Sequence, residues 1–179
     1  MATNSNHIDV VVEDDNWAKV AVISEGQCVA IFDAVCDYLT NQKINVCYDL
    51  LKSGKSLGAA LVLSNAEQVR QLNAEFRKQD KPTNVLSFAN IDADDFRQIV
   101  ENDDIINLGD IIMAWEVLVD EAKQKKISAE HHFIHLLVHG ILHLLGFDHQ
   151  NDDEAEVMES IEIAVLGLMN IANPYEEFD

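Results

Sequence analysis

The eleven residues HGILHLLGFDH, His139 to His149, constrain this chain more than any other stretch. Leucine and isoleucine at helical spacing call for a packed helix, yet three imidazoles share the run and Gly146 interrupts it. Six of the seven histidines in the chain fall between His131 and His149. A core helix has little use for so much imidazole, so the fold must bury one side of this helix and bring nitrogens together on the other. His132, His135, His139 and His143 share an arc of about 80° at about 100° per residue, with Leu137, Ile141 and Leu144 on the far side.

Any adjacent pair four residues apart sits one turn apart and can chelate a metal. Three successive histidines cannot. From His135 to His143 the helix rises about 12 Å, whereas nitrogens bound to one zinc at about 2.0–2.1 Å lie within roughly 4 Å of each other. The third ligand must come from beyond the helix. Gly146 supplies the means, because a glycine just past a helical run takes the left-handed conformation that turns the chain back. His149 is then placed to complete the set, and Asp148 is expected to accept the second N–H of a ligand imidazole. Three neutral imidazoles leave zinc a fourth position open, as in a catalytic site. In HExxH metallopeptidases the residue after the first ligand is the glutamate base; here it is Gly140, expected to leave open space beside the metal at about 1 kcal/mol relative to alanine.

Composition narrows the remaining choices. A chain of 179 residues is most simply one domain, 1–179, long enough to bury a core. No apolar run reaches the roughly 18–20 residues of a membrane span, and the polar opening MATNSNHID is no secretory signal. Cys28, Cys36 and Cys47 form no CxxC pair, which fits free thiols in a reducing cytoplasm. A formal net charge of -20 counts against a free-standing nucleic-acid binder unless the cations are concentrated. They partly are: Arg70, Arg77, Lys78 and Lys81 lie within RQLNAEFRKQDK, and KQKK at Lys123 to Lys126 forms a second knot.

Hydrophobic periodicity predicts strands at Ile8 to Asp14, Ala59 to Ser64, Asn84 to Phe88 and Gly109 to Met113. Helices are expected over Gln27 to Leu39, from a Ser64–Glu67 capping box to about Phe76, and onward from Met113 through Lys125. Ser128 caps the histidine helix, and Asn151 to Asn170 forms a long final one. The acidic segment Asp92 to Asp104 is left as helix or loop. About four strands and about five helices, intermixed, imply an α+β fold with a small mixed sheet.

HGILHLLGFDH resembles the HGxLHLxGxDH signature of the YbeY family, bacterial endoribonucleases of ribosomal RNA maturation. RKQDKPTNVLSF is similar to the family's central segment and LGDIIM to its Gly-Asp strand; DDEAEVME and NPY follow in order, so the resemblance spans roughly Ala59 to Tyr175. Asn170 stands where the family usually carries glycine. The resemblance implies a zincin-like α+β fold with one Zn2+ on His139, His143 and His149, and it implies that Arg77 points into the same cleft as a catalytic residue. Read on its own, Arg77 equally suits a helix C-terminus. Lys78, Lys81, Asn84 and Ser87 are the expected substrate-binding residues, although a strand residue such as Asn84 or Ser87 is as readily structural. The implied activity is zinc-dependent, single-strand-specific endonucleolytic cleavage in ribosomal RNA processing, at the 16S 3′ end, and in ribosome quality control. Expected partners are ribosomal RNA, small-subunit ribosomal proteins and a ribosome-assembly GTPase, in the cytoplasm and not at a membrane. Two other classes remain open: an assembly factor with a structural zinc, and a zincin-like hydrolase of another substrate.

Overall fold

The computed structural model describes residues 5–20, 24–44 and 47–176. Strand β1 (His7–Val12) leads through a short 3-10 turn (Asp15–Lys19) to helix α1 (Glu25–Gln42), then α2 (Tyr48–Lys52), β2 (Ser56–Ser64) and α3 (Ala66–Arg77). β3 (Val85–Ala89), a 3-10 turn (Asn90–Asp92), α4 (Phe96–Asn102) and β4 (Ile105–Ala114) follow, and α5 (Trp115–Gln124), α6 (Ala129–Leu144) and α7 (Asp152–Leu168) complete the order. The fold is α+β with a four-stranded mixed sheet, as the sequence implies, but the described residues hold seven α-helices rather than about five. The sheet order is β1-β2-β4-β3, with β1 and β4 parallel to β2 and β3 antiparallel to β4.

Period-two alternation divides the β3–β4 edge between two packing layers. Leu86 and Ala114 join Val69 beneath α3, with Phe88 and Ile112 against them. Val85 and Ala89 pack instead into the main core with Ile111 and Met113. That core runs from Ile8 of β1 to Leu166 of α7 and holds α6 on the sheet. Buried positions occur almost all round α6, from His132 and Phe133 to Leu142 and Leu144. It is a central helix rather than a one-faced amphipathic one.

Two glycines allow close approach. At Gly109, φ is 124° and a Cβ would collide with the Phe88 carbonyl, so only glycine permits β3 to pair here. At Gly140 a Cβ would lie 2.9 Å from Ile111 Cγ2. The expected open space beside the metal is therefore not there. One residue is about 100° of helix, which turns Gly140 from the histidine face onto β4.

Several local expectations change with tertiary context. The N-cap of α3 is Asn65, whose side chain accepts from Gln68 N–H at 3.0 Å, not Ser64. Glu67 instead pairs with Arg70 at 3.0 Å. The acidic segment resolves into the Asn90–Asp92 turn and α4. Trp17, in a turn the sequence left unassigned, is buried with its indole N–H donating to Ser64 O at 2.8 Å. Cys28, Cys36 and Cys47 are buried free thiols; burial pushes Cys28 and Cys47 up to about 11 and Cys36 higher still.

Candidate metal centre

α6 begins at Ser128, whose hydroxyl accepts from His131 N–H at 3.0 Å, and it ends in a Schellman motif. Gly146 has φ 92°, its N–H donates to His143 O at 3.0 Å, and Phe147 N–H donates to Leu142 O at 3.0 Å. This turn does more than end the helix. It carries the Phe147 carbonyl to His143 Nδ1, 2.9 Å away, and leads the chain on to His149. Asn170 ends α7 in the same way at φ 59°, so asparagine serves there in place of glycine.

His139, His143 and His149 each offer a ligand atom, all within 4.8 Å of one another. His139 Nε2 and His143 Nε2 face each other at 3.1 Å. A carbonyl oxygen only accepts, so His143 Nδ1 must bear hydrogen; His139 Nδ1 lies 2.7 Å from Glu162 Oε1 and bears one too. Burial, then the neighbouring His139 and His149 charges, lower His143 to about 4, so it is neutral near pH 7 and its Nε2 is a bare lone pair. Two ring nitrogens turned toward one point, with a ligand atom of His149 within reach of both, suit a shared cation. The donor set fits a metal ion.

Beneath these histidines lies a carboxylate that sequence reasoning missed. Glu162 of α7 is fully buried, and it accepts from His139 through Oε1 and from His135 Nε2, at 2.8 Å, through Oε2. The Tyr175 hydroxyl also donates to Oε2. Burial alone would raise this carboxyl, but the hydrogen bonds from His135 and His139, and then their charge, outweigh it and hold it at about 2. Asp148 does not take the expected part. Its carboxylate accepts from its neighbour's backbone, His149 N–H, at 2.8 Å and from the Gln150 amide at 2.5 Å. The signal for Glu162 lies in spacing: Met158, Ile161, Glu162, Val165 and Leu166 form the buried stripe of α7, with one acid among apolar residues.

The three histidines open into a cleft of about 520 Å³ that Arg77, Asn84 and Ser87 also line. Arg77 ends α3 and its Nη2 donates to Ser87 O at a long 3.4 Å, leaving the guanidinium exposed. Ser87 Oγ is buried with no hydrogen-bond partner among the described residues. Asn84 is committed to structure, donating to Glu121 Oε2 at 2.9 Å and accepting from Val85 N–H at 2.7 Å. Lys78 and Lys81 are exposed and do not line this cleft; Lys78 Nζ donates to Glu75 O at 2.7 Å. Arg70 is engaged by Glu67 and Asp80. His132 and His135 are buried and stand apart from the three-histidine group, His132 against Glu121 Oε2 at 2.7 Å.

A mixed α+β fold with two imidazoles one turn apart on a central helix, and a third just past its glycine cap, defines a class: proteins with a three-histidine group that could hold a metal ion. The YbeY family pattern, described as endoribonuclease YbeY, matches residues 23–170. A protein named endoribonuclease YbeY from Acinetobacter baumannii is 46% identical over 127 residues, 70% of this chain and 77% of its own. One of the same name from Rhodospirillum rubrum is 45% identical over 127 residues, covering 71% of this chain and 62% of that protein. The solution structure of a Thermotoga maritima protein aligns with 95% of this chain and 96% of its own, at a TM-score of 0.50 and 19% identity, which is a likeness of fold. This chain belongs to the YbeY family.

Proposed function

We propose that this chain is a zinc-dependent endoribonuclease acting on single-stranded ribosomal RNA. The observation that carries the reading is the convergence of His139, His143 and His149, with the Nε2 atoms of the first two 3.1 Å apart, in a cleft whose wall includes Arg77. His139, His143 and His149 would hold the zinc. When bound, zinc supplies a Lewis acid and ionisation of water near neutral pH. The protein's own residues do the rest. Glu162 and the Phe147 carbonyl keep hydrogen on the Nδ1 atoms of His139 and His143, fixing the tautomer that leaves each Nε2 free. Arg77, held among the described residues only by its long contact to Ser87 O, is free to grip a phosphodiester through two parallel N–H donors. The Ser87 hydroxyl has no competing partner and can bond a phosphate or ribose oxygen.

The substrate we infer is ribosomal RNA at the small-subunit 3′ end, in maturation and in quality control. A net charge of -20 disfavours naked RNA at a distance, so basic ribosomal proteins, with an assembly GTPase, are the partners that would present it. In this reading Lys78 and Lys81 flank the cleft rather than line it. The test joins metal content to cleavage. Purified protein should carry about one zinc per chain, and His139→Ala, His143→Ala and His149→Ala should each lose most of it. His135→Ala should keep it, since His135 lies under Glu162 rather than among the ligands. Arg77→Lys should keep zinc and fold but cleave single-stranded ribosomal RNA about ten- to a hundredfold more slowly. Cleavage that survives zinc removal, or a wild-type rate in Arg77→Lys, overturns the assignment.

A further inference from the structure

A second cavity, of about 480 Å³, lies beside the metal cleft, where the turn after α5 meets residues 171–176. Lys125 and Lys126 line it, with apolar Ile127, Ile171 and Pro174 and the ring of Tyr175. In a chain of net charge -20, neither ammonium makes a direct ion pair or hydrogen bond among the described residues, although the Lys125 charge is felt by Glu121; Arg70, by contrast, is paired twice and Lys123 lies 3.7 Å from Asp120. Lys126 also sits in the left-handed region at φ 56°, where lysine is the less favourable residue. On the acidic side, Glu176 stands on the rim.

The cavity is not isolated. A narrower neck of about 180 Å³ shares Lys125, His135 and Tyr175 with it, and Asn84, Val85 and His139 with the metal cleft. The neck wall also holds His132, and the buried Nδ1 atoms of His132 and His135 have no hydrogen-bond partner among the described residues. The groove follows α6, and from His143 to His131 that helix rises about 18 Å, a reach of several nucleotides. Cations at one end, an apolar and aromatic floor and a bond-breaking cleft at the other suit an extended strand whose phosphates meet lysine and whose bases stack.

We propose that this second cavity is a binding subsite for the single-stranded RNA flanking the bond held at the three-histidine cleft, with Lys125 and Lys126 on its phosphates and Tyr175 against a base. The proposal rests on the endoribonuclease reading and deepens it. The test is fluorescence anisotropy with single-stranded oligoribonucleotides of about four and about twelve nucleotides on the zinc-loaded chain. The variant is Lys125→Gln with Lys126→Asn, since asparagine tolerates the left-handed turn. The ratio of twelve-mer to four-mer affinity should fall about tenfold, and the twelve-mer's log–log salt slope should become shallower by about 1.4, two phosphate contacts on a single strand. Circular dichroism should show an unchanged fold. An unchanged ratio and slope overturn the subsite while leaving the endoribonuclease reading intact. If Arg77→Gln leaves both the binding and the cleavage rate of the twelve-mer untouched, the endoribonuclease reading itself falls. If the double variant loses poly-glutamate binding but not RNA, the groove takes an acidic peptide and the RNA subsite is wrong.

Discussion

Glu162 holds two histidines on one carboxylate, and only one of them belongs to the three-histidine group. Replacing it with glutamine keeps the shape but sets an N–H2 against an imidazole N–H, so His139 loses the partner that fixes its tautomer. Glu162→Gln should weaken zinc binding about ten- to a hundredfold, read by chelator competition; unchanged affinity would mean that packing alone orients His139. The same carboxyl sits at about 2 rather than its usual 4.5. A folded value below the unfolded one contributes stability that is complete above about 4.5 and is lost as pH falls toward 2. Urea midpoints across that window should therefore drop less steeply for Glu162→Gln than for wild type. At this scale the grouping of His139, His143 and His149 was legible because imidazole is rare in a leucine-rich helix and the rise per residue limits which nitrogens meet. Glu162 was legible in principle, as the one acid on the apolar stripe of α7. The Phe147 carbonyl was not, since a backbone acceptor leaves no mark on sequence.

The strands and helices were readable where one face is buried and unreadable where neighbours decide. α6 begins at the cap expected of it, Ser128, while α7, expected over Asn151 to Asn170, runs Asp152–Leu168 with Asn151 as its cap. α3 takes Asn65 because Ser64 still belongs to β2, an assignment that rests on strand pairing with Ala114 and not on local chemistry. Gly140 is the sharpest case. Its mid-helix position reads as a cost, yet α6 can approach β4 only without a side chain there. Gly140→Ala should lower stability by about 1–2 kcal/mol, the overpacking strain exceeding the roughly 1 kcal/mol gain in helix propensity. Pairing it with Ile111→Val should return part of that loss in a double-mutant cycle, because the shorter side chain removes Cδ1, 3.0 Å from the built Cβ. Strict additivity would show that the two residues do not compete for space. Gly167 is the opposite case, helical and exposed with nothing within 4 Å; Gly167→Ala should raise stability by about 0.5–1 kcal/mol in denaturant titration.

For the molecule as a whole, net charge and topology set what local reasoning cannot. The order β1-β2-β4-β3 places the last strand between the second and third, and no single-sequence pattern encodes that. No helix among the described residues is long and apolar enough to cross a membrane. With Arg70 engaged by acids, few cations remain to meet phosphate, and about three to five contacts on single-stranded RNA give a log–log salt slope of roughly -2 to -3.5. Raising salt from about 50 to 200 mM should weaken RNA binding on the order of ten- to a hundredfold, and a salt-insensitive affinity would point to a protein ligand. Order of synthesis adds one more consequence. Glu162 follows His139 by 23 residues, and Tyr175 follows Glu162 by another 13. At roughly 5–20 residues per second, about two to seven seconds separate translation of His139 from that of the tyrosine that braces its support. Until Glu162 is made the imidazoles lack their anchor, and until Tyr175 is made that anchor lacks its brace, so on the zinc reading secure metal capture would wait for both.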